Sequence, residues 1–340
     1  MMQELRDILY NRARAIFEAA TRTHDARVVS ALFTALLLVP LAAKLGAESY
    51  VLSLLTRAII FAIAALSLDL IMGYGALASF GHAAFLGIGS YAVGILAAHG
   101  IDDILLQLAV AIAFAFLFAG LTSAVSLRAS GVYYIMSTLA FGQMLFFFFV
   151  SLSAYGGDDG MSLAGRSHAF GLRMLAGDAA FYYLCLGVLG GCYVLLRRIV
   201  ASRFGRVLGG IRENPVRMRA IGFEPFHYQL AACLIAGAMC AMAGVLLANQ
   251  TGFVSPAYMT WQRSGELMVM VLLGGIGTLH GAIIGAIAFL LLEEWLSGLT
   301  EHWKLIFGPL IVLVAMYGRG GLLAALARWR TRAKPELDHA

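Results

Sequence analysis

The chain has 340 residues, of which 61% are hydrophobic and 13% charged, with a formal net charge of +5. Soluble domains carry about 25% charged residues, so the composition excludes a soluble binding module, and nucleic acid is not an expected partner. The apolar residues gather in runs, among them 28–47, 51–72, 104–127, 131–153 and 179–196. A bilayer core of roughly 30 Å takes about 20 helical residues, and runs with almost no polar face argue against a soluble helical bundle. The expected fold class is all-α, a polytopic transmembrane helical protein.

Residues 1–27 do not read as a signal peptide, because Glu4, Asp7, Glu18 and Asp25 are interspersed with arginines and no apolar core run is present. Leu5, Ile8, Leu9, Ile16 and Phe17 recur at helical spacing, which predicts a cytoplasmic amphipathic helix lying on the membrane. Positive loops stay in the cytoplasm. Arginines 6, 12, 14, 22 and 27 precede the first run, Arg128 follows the fourth, and Arg197, Arg198, Arg203, Arg206, Arg212, Arg217 and Arg219 fill the largest basic loop. Starting inside, runs 28–47, 51–72, 76–98, 104–127, 131–153, 179–196 and 229–249 alternate direction in agreement with these clusters. Run 265–292 is long for one span and short for two; broken near Gly274–Gly281, it makes two crossings and leaves Glu293, Glu294 and Glu301 outside. Run 304–318 then returns the basic tail, 324–340, to the cytoplasm. The count is about ten crossings, some of them broken or half-helices, with both termini cytoplasmic.

Two glycine-rich segments stand out. In 75–91, Gly81, Gly87 and Gly89 admit close approach of another backbone. Glycine also permits a broken helix where the freed backbone lines protein or a cavity. Ser79, His82, Ser90 and Tyr91 supply polar groups. Two readings stand: a tightly packed helix with satisfied polar residues, or a segment lining a translocation pathway. In the second segment Gly277, Gly281 and Gly285 are spaced four apart, two overlapping GxxxG spacings. Asp69, just before the turn-like Gly73-Tyr74-Gly75, is a functional suspect as a membrane carboxylate, and a cap or interface position is the simpler reading. Cys185 and Cys192, like Cys233 and Cys240, lie seven apart on one helix face. They read as packing residues, with neither a disulfide framework nor a metal set.

The loop 203–228 reads RFGRVLGGIRENPVRMRAIGFEPFHY. Asn214 is a good N-cap and Pro215 suits the first helical position. Gly222 can end the helix in the left-handed conformation. A short helix near 215–221 is expected, and its apolar Val216, Met218 and Ile221 want a partner surface.

These stretches carry a resemblance. LDLIMGYGALASFGHAAFLGIGSYA at 68–92, GRVLGGIRENPVRMRAIGFEPFHYQLAAC at 205–233, ELMVMVLLGGIGTLHGAIIGA at 266–286 and EHWKLIFGPLIVLVAMYGRGGL at 301–322 resemble, in that order, the permease subunits of ATP-driven (ABC) importers for branched-chain amino acids. Of the LivM-like and LivH-like types the chain is nearer the first. The resemblance implies a permease domain over 28–323, with a coupling loop at about 197–228 whose helix docks into a cytoplasmic ATPase. The matching coupling residues are Arg212, Glu213, Asn214, Pro215, Arg217, Ala220 and Gly222, although Pro215 stands where the family usually has another residue. The resemblance further implies a heterodimer with a second related permease, two cytoplasmic ATPases, a periplasmic binding protein and a bacterial inner-membrane location. The cargo would be leucine, isoleucine and valine, with urea or short amides as the alternative.

The chain has no glycine-rich loop followed by Lys-Ser or Lys-Thr. ATP and Mg are therefore expected on the partner ATPases, with no cofactor, metal or catalytic residue on this chain. A secondary transporter would need coupled membrane acids, which are scarce. An enzyme would need clustered groups, whereas His82, His280 and His302 are far apart in sequence.

Overall fold

The computed structural model describes residues 28–40, 49–168, 177–299 and, near the end, 302, 305 and 307–309. The expectations for 1–27, for most of run 304–318 and for the tail 324–340 lie outside the described residues. The chain divides into a unit over 1–49 and a unit from Tyr50 onward. The first contributes one described apolar helix, α1, Val28–Pro40.

Among its described residues the second unit is helical nearly throughout. Its elements are α2 (Ser49–Asp69), which begins at the boundary, α3 (Ala83–Ala98), α4 (Ile104–Ser126), α5 (Val132–Ser151), α6 (Asp178–Ala201), α7 (Arg203–Glu213), α8 (Pro215–Ala220), α9 (Pro225–Thr251), α10 (Trp261–Gly274) and α11 (Leu279–Leu299). Six helical segments among the described residues are long and apolar enough to cross a membrane: Tyr50–Tyr74, α4, α5, α6, α9 and α11. The all-α polytopic fold class is thereby met. Among the described residues, strands are limited to a two-residue antiparallel pair, β1 (Met161–Ser162) with β2 (Phe253–Val254), in which Met161 faces Val254.

Helix α3 forms the centre. Every residue from Ala83 to Gly94 is buried, and α9 packs along both α3 and α4. The α3–α9 crossing depends on two glycines: a methyl built on Gly89 would lie 3.0 Å from the Cα of Gly244, and one on Gly244 the same distance from Gly89. Such backbone-to-backbone contact substitutes in lipid for the hydrophobic drive that helices have in water. Helices α4 and α5 are mostly exposed, whereas Tyr50–Tyr74 and α9 are mostly buried. The four cysteines are free and buried in α6 and α9.

Run 76–98 is not one helix. The helix starts only at Ala83, and the chain before it turns, with Ala76 at φ +54°. α2 ends in a π-helical turn, Leu70–Tyr74. The first N–H of α3 is satisfied from another helix, Ala83 N donating to Ser264 Oγ of α10 at 3.0 Å. The expected break in run 265–292 is present: α10 stops at Gly274, Gly275 and Gly277 take φ of +107° and +77°, and α11 begins at Leu279. Gly277 thus lies in the connecting loop rather than on one helix face with Gly281 and Gly285. The acids expected in an outer loop are displaced as well: α11 continues to Leu299, so Glu293 and Glu294 are helical. Their charges have company, since Tyr50 Oη donates to Glu294 Oε1, and Arg57 and Arg263 act electrostatically on Glu293. A helix whose acids are so placed need not end before them.

Candidate functional site

The expected short helix is α8. Asn214, in extended conformation, accepts from Arg217 N through Oδ1 at 2.9 Å, Pro215 takes the first position, and Gly222 follows at φ +97°. The capping is local chemistry, legible because each residue satisfies or forgoes a backbone group that the helix end would otherwise leave bare. Val216 and Ile221 are 70% and 64% exposed. Glu213, Arg217 and Ala220 share that exposure. Met218 turns the other way, its sulfur so near Gly210 that a methyl there would lie 2.7 Å from it. Together with Phe204, Phe223, Tyr228, Arg203 and Arg206, Met218 lines a groove of about 610 Å³ beside α8.

Arg212 is exposed as well, but its guanidinium turns back onto the membrane body. It ends the amphipathic α7, whose Val207, Leu208 and Ile211 are buried, and Nη1 donates to the carbonyl of Gly73 in the π-turn. Asp69, one turn earlier, is fully buried, and its Oδ1 accepts from Gly277 N at 2.7 Å. Gly73 and Gly277 are in backbone contact: a methyl on Gly73 would lie 2.6 Å from Gly277 N. Three segments therefore meet at one joint, namely the end of α2, the α10–α11 loop and the end of α7, two residues before α8. Asp69 is a brace and not an interface position. Leaving such a buried backbone N–H without its acceptor costs about 1–3 kcal/mol.

The residues of 75–91 separate into two groups. Ser79, Gly81 and His82 border one small cavity of about 30 Å³, with Thr122, Tyr134 and Cys233 opposite. His82 is fully buried, and its Nε2 pairs with Ser67 Oγ at 2.8 Å. Since Ser67 Oγ donates to Ala64 O, the proton of that pair sits on Nε2, and Nδ1 has no partner. A volume of that size leaves room for little more than ordered water beside His82 in this conformation. The second group packs. Gly87 lies against Met259, Gly89 against α9, Ser90 Oγ donates to Leu86 O at 2.8 Å, and the Tyr91 ring stacks on Phe149 at 4.1 Å. Gly281 and Gly285 let α11 lie against Gly274 of α10.

The sequence reading passed over Arg57 and Arg263. Both cover the ring of Phe61, at 5.8 and 5.5 Å, and Arg263 pairs with Glu266 at 2.5 Å. For Arg57 the signal is an arginine inside the apolar run 51–72, since a charge at membrane depth faces protein or water rather than lipid; Arg263 lies outside the apolar runs and carries no such signal.

A helical body with six apolar helices long enough to cross a membrane thus carries a short capped helix in a basic loop. The family described as branched-chain amino acid transport system / permease component matches residues 50–316, and the chain belongs to it. The high-affinity branched-chain amino acid transport system permease protein LivM of Escherichia coli (strain K12) is 26% identical over 291 residues, covering 79% of this chain and 68% of that protein. The LivH permease of the same organism is 27% identical over 169 residues, 48% of this chain and 53% of LivH. The xylose transport system permease protein XylH of Escherichia coli is 29% identical over 141 residues, 39% of this chain and 35% of XylH. No solved structure matches. The chain is thus a LivM-like, multi-pass transport permease.

Proposed function

We propose that this permease is one of two paired membrane subunits of an ATP-driven importer of branched-chain amino acids in a bacterial inner membrane, served by two cytoplasmic ATPases and a periplasmic binding protein. The observation that carries the reading is α8: a capped helix with exposed Val216 and Ile221, joined through Arg212 to the π-turn of α2. An apolar, basic helix end held away from the membrane body suits a groove on a soluble partner.

In this mechanism ATP binding closes the ATPases and displaces α8 with them. Arg212 passes the displacement to Gly73, and Asp69 and Gly277 pass it to the hinge between α10 and α11. The permease pair then alternates between outward-open and inward-open states. Glu213 and Arg217, exposed on α7 and α8, contact the ATPase, while Arg212 acts as a positioning residue. This chain contributes the path and the joint; ATP chemistry belongs to the partners.

The test is a cross-link from α8. In the copurified complex, Val216→Cys is expected to form a cross-link with the ATPase through a short bifunctional reagent, and ATP binding is expected to change its yield. A cross-link to lipid-exposed or outer-face components instead, or none to the ATPase, contradicts the coupling role.

A further inference from the structure

The joint at Asp69 ties α2, α10 and α11 at the end where α7 and α8 lie. The same three helices meet again near their other ends, around a set of charges. Arg57 lies seven residues after Tyr50 at the start of the α2 span, and Glu293 six residues before the end of α11. At 1.5 Å per residue each is about 10 Å inside the end of its span. Arg263 and Glu266 of α10 complete the set.

The internal accounts of these charges do not close. Arg263 and Glu266 neutralise each other at 2.5 Å, and Glu294 accepts from Tyr50 Oη. Three charges are left, since the neutral Tyr50 hydroxyl satisfies Glu294 without cancelling its charge. Arg57 makes a ring contact with Phe61 and, among the described residues, no hydrogen bond or ion pair. Glu293 Oε2 is buried with no hydrogen-bond partner. The two are close enough for Arg57 to act electrostatically on Glu293. On α9, Gln250 donates through Nε2 to the carbonyl of Ser53, one turn before Arg57 on α2, and its Oε1 is likewise buried and unpartnered. Charged and polar groups at membrane depth that lack hydrogen-bond partners are costly and mark a path for a polar solute.

We propose that Arg57, Glu293 and Gln250 form a contact site for the charged ends of a zwitterionic solute, an inference that rests on the importer reading above. The guanidinium of Arg57 grips the solute carboxylate, a planar fork against a planar acceptor. Glu293 Oε2 and Gln250 Oε1 accept from its ammonium. The site recognises the α-amino acid group and leaves the side chain unread. It lies on the helices that the Asp69–Gly277–Arg212 joint connects to α8, so displacement of α8 can alter the spacing of its two charges.

The test uses the complete copurified complex in proteoliposomes, with radiolabelled leucine supplied on its binding protein. Arg57→Gln and Glu293→Gln are each expected to lower uptake about tenfold with the complex still assembled. The double variant is expected to be no better than the worse single one. Arg57→Lys keeps the charge but loses the fork, and its KM is expected to rise several-fold. Recovery of uptake to within twofold of wild type in the double variant overturns the proposal, because the two charges then serve only to balance each other. Single variants within twofold of wild type, an unchanged KM in Arg57→Lys, or loss of the second permease from the single variants overturn it too, the last by making this face a subunit contact. Uptake by the wild-type complex without ATP contradicts the importer reading and leaves the comparison of variants intact.

Discussion

Gly73 shows how little room the joint leaves. Its missing side chain is what lets the α2 π-turn touch the α10–α11 loop, since a methyl would lie 2.6 Å from Gly277 N and close to the Asp69 carboxylate. Gly73→Ala is therefore expected to destabilise the protein by about 1–3 kcal/mol, the usual cost of overpacking, seen as a lower thermal midpoint in detergent. Asp69→Ala removes the acceptor of Gly277 N–H and is expected to lose a similar amount, about 1–3 kcal/mol. If Asp69→Ala melted with the wild type, the brace would have no energetic weight. The joint was not legible in the sequence. Asp69 and Gly277 are 208 residues apart, Gly73 and Arg212 139 apart, and no local pattern pairs them. What the sequence did show was that an acid and a glycine cluster lay at plausible depths.

At the scale of elements, local chemistry was readable and distant packing was not. The α8 helix and the α10–α11 break follow from Asn214-Pro215, Gly222 and Gly274-Gly275, residues that act on their own backbone. The late start of α3 follows from the turn before it and from Ser264, which comes from another helix, and so the run 76–98 was read as one crossing. The sequence places Glu293 and Glu294 outside, past the end of run 265–292, for the same reason: their partners Arg57, Arg263 and Tyr50 are remote. Asn214→Ala is expected to cost α8 about 1 kcal/mol, raising amide exchange over 215–220 roughly fivefold while α9 is unchanged. For the α3–α9 crossing, Gly89→Val is expected to abolish folded protein, whereas Gly120→Val in α4, where nothing lies within 4 Å of an added Cβ, is expected to be tolerated. Equal yields of the two would deny that Gly89 and Gly244 set the crossing.

At the scale of the whole permease unit, the joint and α8 form a continuous path from the basic loop to the charges on α2, α10 and α11. On that account Glu213→Lys, which reverses an exposed charge at the end of α7, lowers ATP-driven uptake several-fold in the assembled complex without loss of the folded permease. Family membership fixes the class of protein; the partners are what the account adds, and they are directly measurable. The most direct measurement is a mild-detergent pull-down of this chain from its native membrane, with every copurifying protein identified and ATP-dependent leucine uptake assayed after reconstitution. The account predicts a second related permease, cytoplasmic ATPases and uptake that requires ATP. A chain that emerges alone and transports without ATP would contradict it.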